Sequence, residues 1–277
     1  MKLSISNIAW DIEHDASVAN LLNSLSVQAI DIAPGKYFPV PQATTSGEMH
    51  RVRSWWADHG IQIIGMQSLL FGTVGLNMFG SAEVQKRMLS HLTDICRIAS
   101  GLGVTWLVFG SPKNRDLSGL CRAEAGDRSV AFFRQLGQVA HDQGLEICLE
   151  PNPECYGANF MTTARETLEV VKAVAHPAIK MQFDTGAMTI TGEDPVALLT
   201  DGADLIAHVH ASEPELVPIG TGTTDHRQMA EALERYLPER FVTVEMLNKG
   251  GEVIPTLSNA LNTVRQYYGI RNGHHGL

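Results

Sequence analysis

The chain has 277 residues, 44% hydrophobic and 18% charged, so it holds enough apolar material for a large core and is not a disordered chain. A formal net charge of -9 argues against nucleic acid and against an anionic membrane surface, since both recruit basic faces. No apolar run approaches the roughly 20 residues of a membrane span, and Cys96, Cys121, Cys148 and Cys155 form no C-x-x-C pair, so the expectation is a cytoplasmic protein with reduced, mostly buried thiols.

Apolar spacing switches repeatedly between a period of two and a period of 3.6, the marks of strand and helix. "KLSISNIA" (2–9) predicts a first strand; one lysine and no long apolar segment do not make a secretion signal. A short helix follows over 15–25, with Asp15 near its cap, then a strand over 27–34 ended by Pro34. The spacing predicts a helix over 46–60 that stops at Gly60, and a strand over 61–67. The stretch "SLLFGTVGLNMFG" (68–80) carries no period, and a loop of that length is often a lid or a binding loop.

A long amphipathic helix spans 81–103, with Ser81 as its cap and Val84, Met88, Leu92, Ile95 and Ala99 as its apolar stripe. Further along, strands are predicted at 104–110, 145–151, 178–184, 204–211 and 240–246. Helices are predicted at 127–144, 162–176, 193–203, 225–237 and 251–269, with Pro195 and Pro255 in opening turns. The tail "RNGHHGL" (271–277) reads as a frayed end, although His274 and His275 are metal-capable.

Eight strand–helix repeats in one unbroken chain fit a single-domain (β/α)8 barrel, typically of roughly 250 residues, better than an open doubly wound sheet. In such a barrel the C-terminal strand ends meet at one mouth, where chemistry sits. Four consecutive strands end in "ICLE", "MQFD", "AHVH" and "VTVE", delivering Glu150, Asp184, His210 and Glu245 there. A lone acid at a strand end is usually a helix cap or a rim residue. Three carboxylates in register would repel one another, and leaving them ionised calls for a cation. Three oxygen donors with one imidazole suit a single divalent ion: manganese, cobalt, magnesium or zinc. His208 lies two residues before His210 on the same strand face, one layer deeper.

These segments, with "LEPNPECYGANF" (149–160), "FDTGAM" (183–188) and "HVHASE" (208–213), resemble the xylose isomerase-like barrel superfamily of sugar isomerases and epimerases. The resemblance implies that Glu150, Asp184, His210 and Glu245 hold the metal, and that Glu150 and Glu245 also form the acid/base pair. It implies a small sugar or polyol substrate, with Asn152 and Tyr156 among its contacts, and allows a homo-oligomer. By position, Gln67 at the end of strand three, Lys113 and Arg115 in the loop after strand four, and His208 join the candidate substrate contacts. His208 is equally readable as a satisfied core histidine. Trp10 and Phe71 are candidate apolar walls, and Glu213 either extends the acidic cluster or sits on the rim. "GTGTTDH" (220–226) is not a dinucleotide fingerprint, because Asp225 stands in its third position and reads as a helix cap. The chain departs from many epimerases of the superfamily. It has Ala187 where they carry a histidine, and no arginine soon after His210.

Such a site can acidify the C–H beside a carbonyl, so the leading expectation is an isomerase or epimerase working through an enediolate. A dehydratase on an inosose-like substrate is the second reading. A carbohydrate-binding barrel without turnover is the third.

Overall fold

The computed structural model describes residues 1–117 and 119–269; the tail histidines, His274 and His275, lie outside them. Eight parallel strands close into one barrel in sequence order. They are β1 (Lys2–Ser6), β2 (Ala29–Ile32), β3 (Gln62–Met66), β4 (Trp106–Phe109), β5 (Glu146–Leu149), β6 (Ile179–Asp184), β7 (Ile206–Ser212) and β8 (Phe241–Glu245). β8 returns to pair with β1, leaving no free edge. Around them run α1 (Asp15–Ser24), α2 (Pro34–Tyr37), α3 (Ser46–Asp58), α4 (Ala82–Leu102), α5 (Arg122–His141), α6 (Ala164–Val174), α7 (Thr185–Thr191), α8 (Pro195–Gly202), α9 (His226–Tyr236) and α10 (Val253–Tyr267). Among the described residues no helix is long and apolar enough to cross a membrane.

The main core lies between barrel and helices. α4 shows why these segments fold as they do. The Ser81 hydroxyl accepts from the Val84 N–H, Gly103 ends the helix in the left-handed region, and Met88, Leu92, Ile95 and Ala99 are buried between.

Three expectations need correction. The helix expected at 127–144 begins at Arg122. The crossover after β6 holds two helices, where a single one over 193–203 was expected. The first, "TGAMTIT", is too rich in threonine and glycine to show by propensity; it is nucleated by Asp184, whose carboxylate accepts from the Ala187 N–H at 2.6 Å. Of the four free thiols only Cys96 and Cys148 are buried; Cys121, just ahead of α5, and Cys155, in the loop after β5, are exposed.

The barrel interior is unusually polar. Ser4, Asp31, Gln182, His208 and Thr243 are all buried there, and Ser4 and Thr243 share a 2.5 Å hydrogen bond. Two register slips set this layer. One, between Ile30 and Asp31, puts Asp31 opposite Gly65; the other, between Met181 and Gln182, puts Gln182 opposite His208 and Asp184 opposite His210.

Candidate metal centre at the barrel mouth

Glu150, Asp184, His210 and Glu245 converge at the C-terminal end of the barrel, only 8%, 6%, 0% and 7% exposed. Each offers one ligand atom, and these atoms lie within 4.8 Å of one another. His210 Nδ1 stands 3.1 Å from Glu150 Oε1, 3.3 Å from Glu245 Oε2 and 3.9 Å from Asp184 Oδ2. Strand alternation explains the convergence: Asp184 and Glu245 end β6 and β8, Glu150 directly follows β5, and His210 lies near the end of β7, all four turned toward the barrel mouth.

Neighbours orient every carboxylate. Gln67 Nε2 donates to Glu245 Oε1 at 2.7 Å. Ser212 Oγ lies 2.9 Å from both oxygens of Asp184. Asn152 Nδ2 donates to Glu150 Oε2 at 3.4 Å, and Arg115 anchors Asn152 through a 2.6 Å bond to its Oδ1. Gly110, at the end of β4, is indispensable to this packing, because a Cβ there would overlap Glu150 Oε2.

The electrostatics of the cluster follow from burial and from the charges its members place on one another. Burial pushes the Asp184 carboxyl up, and Glu245 and Glu150 push it further. Burial would lower the His210 pKa, but the carboxylates of Glu245 and Glu150 outweigh it and hold the ring well above the ordinary histidine value. Burial would raise Glu245, yet His210 and the Gln67 hydrogen bond bring it below the usual carboxylate range. Buried carboxylates that perturb one another and the ring in this way form a negative pocket that a divalent cation would relieve. Three carboxylates and one imidazole, enclosed and within one coordination sphere, fit a single divalent ion.

Above the cluster opens a cavity of about 370 Å³, walled by Asn152, Tyr156, Ala187, Leu216 and Leu247 among others. Tyr156 spans it, accepting at its hydroxyl from the Glu215 N–H at 2.6 Å. Glu215 and Leu216 both hold left-handed backbone, rare away from glycine and frequent at functional sites. Ala187, at the first turn of α7, borders the cavity with only a methyl group.

Several expected contacts do not line this cavity. Arg115 is fully buried and donates to Glu150 O at 2.7 Å, so it supports the cluster from behind. Lys113 is exposed on the outer loop. Gln67 faces Glu245 beneath the cavity. His208 sits a layer down, its Nδ1 3.0 Å from Gln182 Oε1. Trp10 is buried and donates to Asp15, whereas Phe71 is 86% exposed. Glu213 reaches the cavity edge, but its oxygens accept from the N–H groups of Gly220 and Thr224, which fastens the loop after β7. Asp225 caps α9 as its position predicted. The sequence reading missed Asp31, Gln182 and Ser212. An acid interrupting the apolar run "AIDI" was the available signal.

The family model described as xylose isomerase-like TIM barrel matches residues 20–266. The chain belongs to that family. Among curated proteins it is similar to a ketose 3-epimerase of Arthrobacter globiformis, 28% identical over 140 residues, or 50% of this chain and 48% of that protein. A stretch of 84 residues, 29% of this chain, is 30% identical to an inosose dehydratase of Clostridium beijerinckii and covers 26% of it. The matched stretches thus span about half or less of these relatives' lengths. Among solved structures the fold is similar to a D-psicose 3-epimerase with D-tagatose from Clostridium cellulolyticum H10, with a TM-score of 0.81, 19% identity, and 97% and 99% of the two chains covered.

Proposed function

We propose that the protein is a divalent-metal-dependent epimerase or isomerase of a small keto-sugar or polyol-derived ketone. The observation that carries this reading is the enclosed set of Glu150, Asp184, His210 and Glu245 at the floor of a sugar-sized cavity. The similarity to a ketose 3-epimerase supports the substrate class.

The four residues would hold manganese, cobalt, magnesium or zinc, which supplies positive charge beside a substrate carbonyl and so acidifies the neighbouring C–H. Glu150 and Glu245 are the acid/base pair. One carboxylate takes the proton from the carbon next to the carbonyl, leaving an enediolate. The other, present as the carboxylic acid, delivers its proton to the opposite face of that carbon, giving the epimer; return of the first proton to the former carbonyl carbon gives the aldose–ketose isomer. Gln67 holds one Glu245 oxygen, leaving the other directed at the cluster. Asn152 and Tyr156 line the cavity within reach of substrate hydroxyls, and Arg115 fixes Asn152. Four free cysteines fit a reducing, cytoplasmic setting.

A second reading, dehydration of an inosose-like ketone, draws on the inosose dehydratase similarity. The same carboxylates would remove the proton, and a hydroxyl would leave in place of reprotonation. Incubating the manganese-loaded protein with a panel of ketoses and inososes in deuterated buffer separates the readings. Epimerisation incorporates deuterium and conserves mass otherwise; dehydration loses water. Glu150→Gln and Glu245→Gln should each abolish exchange without unfolding the chain. Undiminished exchange in either variant removes that residue from the pair, and no turnover of any kind favours a binding barrel.

A further inference from the structure

We propose that Asp31 is a positioning residue that selects the ring tautomer of His210, keeping the proton on Nε2 and leaving Nδ1 free for the ion. This rests on the reading that the cluster of Glu150, Asp184, His210 and Glu245 holds a divalent cation.

The place for Asp31 is built into the barrel. The β2–β3 register slip sets it opposite Gly65. A Cβ at residue 65 would lie 2.6 Å from Asp31 Oδ2, closer than side chains tolerate, so only glycine admits the carboxylate. Asp31 is 0% exposed, and neither of its oxygens has a partner of full hydrogen-bond geometry. His210 Nε2 is likewise buried and without a partner. Asp31 Oδ2 stands 4.0 Å from His210 Nε2, a ring nitrogen with no other hydrogen-bond partner.

A neutral imidazole carries one N–H, and a metal takes the other nitrogen. His210 Nδ1 faces Glu150 and Glu245, so when that atom binds an ion the ring proton must sit on Nε2. A buried N–H with nothing to accept it is costly. The Asp31 carboxylate offsets that cost by its charge, and a small approach makes it a direct acceptor. Ligating histidines commonly give their second N–H to such a group.

His208 completes the device. Its Nε2 is 2.9 Å from Asp31 Oδ2, its Nδ1 is 3.0 Å from Gln182 Oε1, and Thr243 Oγ1 is 3.3 Å from Nε2. It grips the carboxylate from below, which accounts for a second histidine on β7. Asp31, His208 and His210 are also close enough to hold an ion of their own. Direct hydrogen-bond distance between Asp31 and His208 argues against that, and His210 would have to lose both ring protons to bridge two ions.

The test uses the full chain, stripped of metal and reloaded with zinc. Long-range ¹⁵N–¹H spectra of the zinc-loaded wild type should show His210 protonated on Nε2, with one zinc per chain. Asp31→Asn and Asp31→Ala should weaken zinc binding roughly 10- to 100-fold with circular dichroism unchanged. If the wild type takes up no zinc, the metal reading itself fails. The Asp31 inference alone fails if zinc binds but His210 carries its proton on Nδ1. It also fails if a folded variant binds zinc within about twofold of wild type, or if a second zinc in the wild type disappears in Asp31→Ala. Should both variants misfold, the Nε2–H resonance of zinc-loaded wild type decides: the downfield position of a proton donated to a carboxylate supports the inference, and the position of an unbonded ring N–H overturns it.

Discussion

Loading and emptying the cluster should move thermal stability by a calculable amount. A ligand that binds only the folded state adds about 2.7 kcal/mol at 100 times its Kd. Unfolding entropy near 2.1 cal/mol/K per residue gives about 0.58 kcal/mol/K for 277 residues, so that binding should raise Tm by about 5 °C. Asp184→Asn should abolish the rise, because the amide cannot supply the missing anionic ligand. The same substitution should act oppositely on the metal-free chain. A carboxyl pushed up by burial and by Glu245 and Glu150 costs stability once the pH exceeds its unfolded value, and the cost grows until the folded pKa is reached. At pH 8 metal-free Asp184→Asn should therefore melt no lower than metal-free wild type. Scanning calorimetry of both proteins, chelator-treated and then titrated with manganese, cobalt, magnesium and zinc in turn, reads both effects. A wild type that ignores all four ions, or an Asp184→Asn chain that shifts as much as wild type, would refute the reasoning.

Two further outcomes follow from the packing around the cluster. Gly110→Ala places a methyl where Glu150 Oε2 lies, so the carboxylate must move; deuterium exchange into a ketose should fall roughly 100-fold while the circular dichroism spectrum is kept. Glu213 is held down at about 2: burial would raise it, but the His226 ring and the N–H groups of Thr224 and Gly220 prevail. Its contribution is then fully present above about pH 4.5 and is lost as pH falls toward 2. Urea melts should show Glu213→Gln weakened by about 1.5–3 kcal/mol at pH 7, with a smaller further loss at pH 3 than wild type. Equal losses would show that the loop after β7 is fastened by other contacts.

Much of the site was legible because its signals are local. Glu150, Asp184, His210 and Glu245 each close an apolar strand at nearly one repeat's interval, and period-two alternation tells which way each points. The least legible of the expected contacts belong to a loop. Lys113 and Arg115 sit two apart in one short basic segment, yet one is exposed and the other is buried against Glu150 and Asn152. Nothing in "GSPKNRD" distinguishes them, since the partners that bury Arg115 are 35 and 37 residues away.

The order of the strands, and the identity of the groups at their ends, are properties of the sequence alone, because periodicity and spacing act over a few residues. Only the closed barrel decided that Asp31 turns inward beside Gly65, that Gly110 makes room for Glu150, and that His208 meets Asp31. Those outcomes depend on register slips and on the approach of strands distant in the chain, where one residue of shift reverses the face a side chain takes.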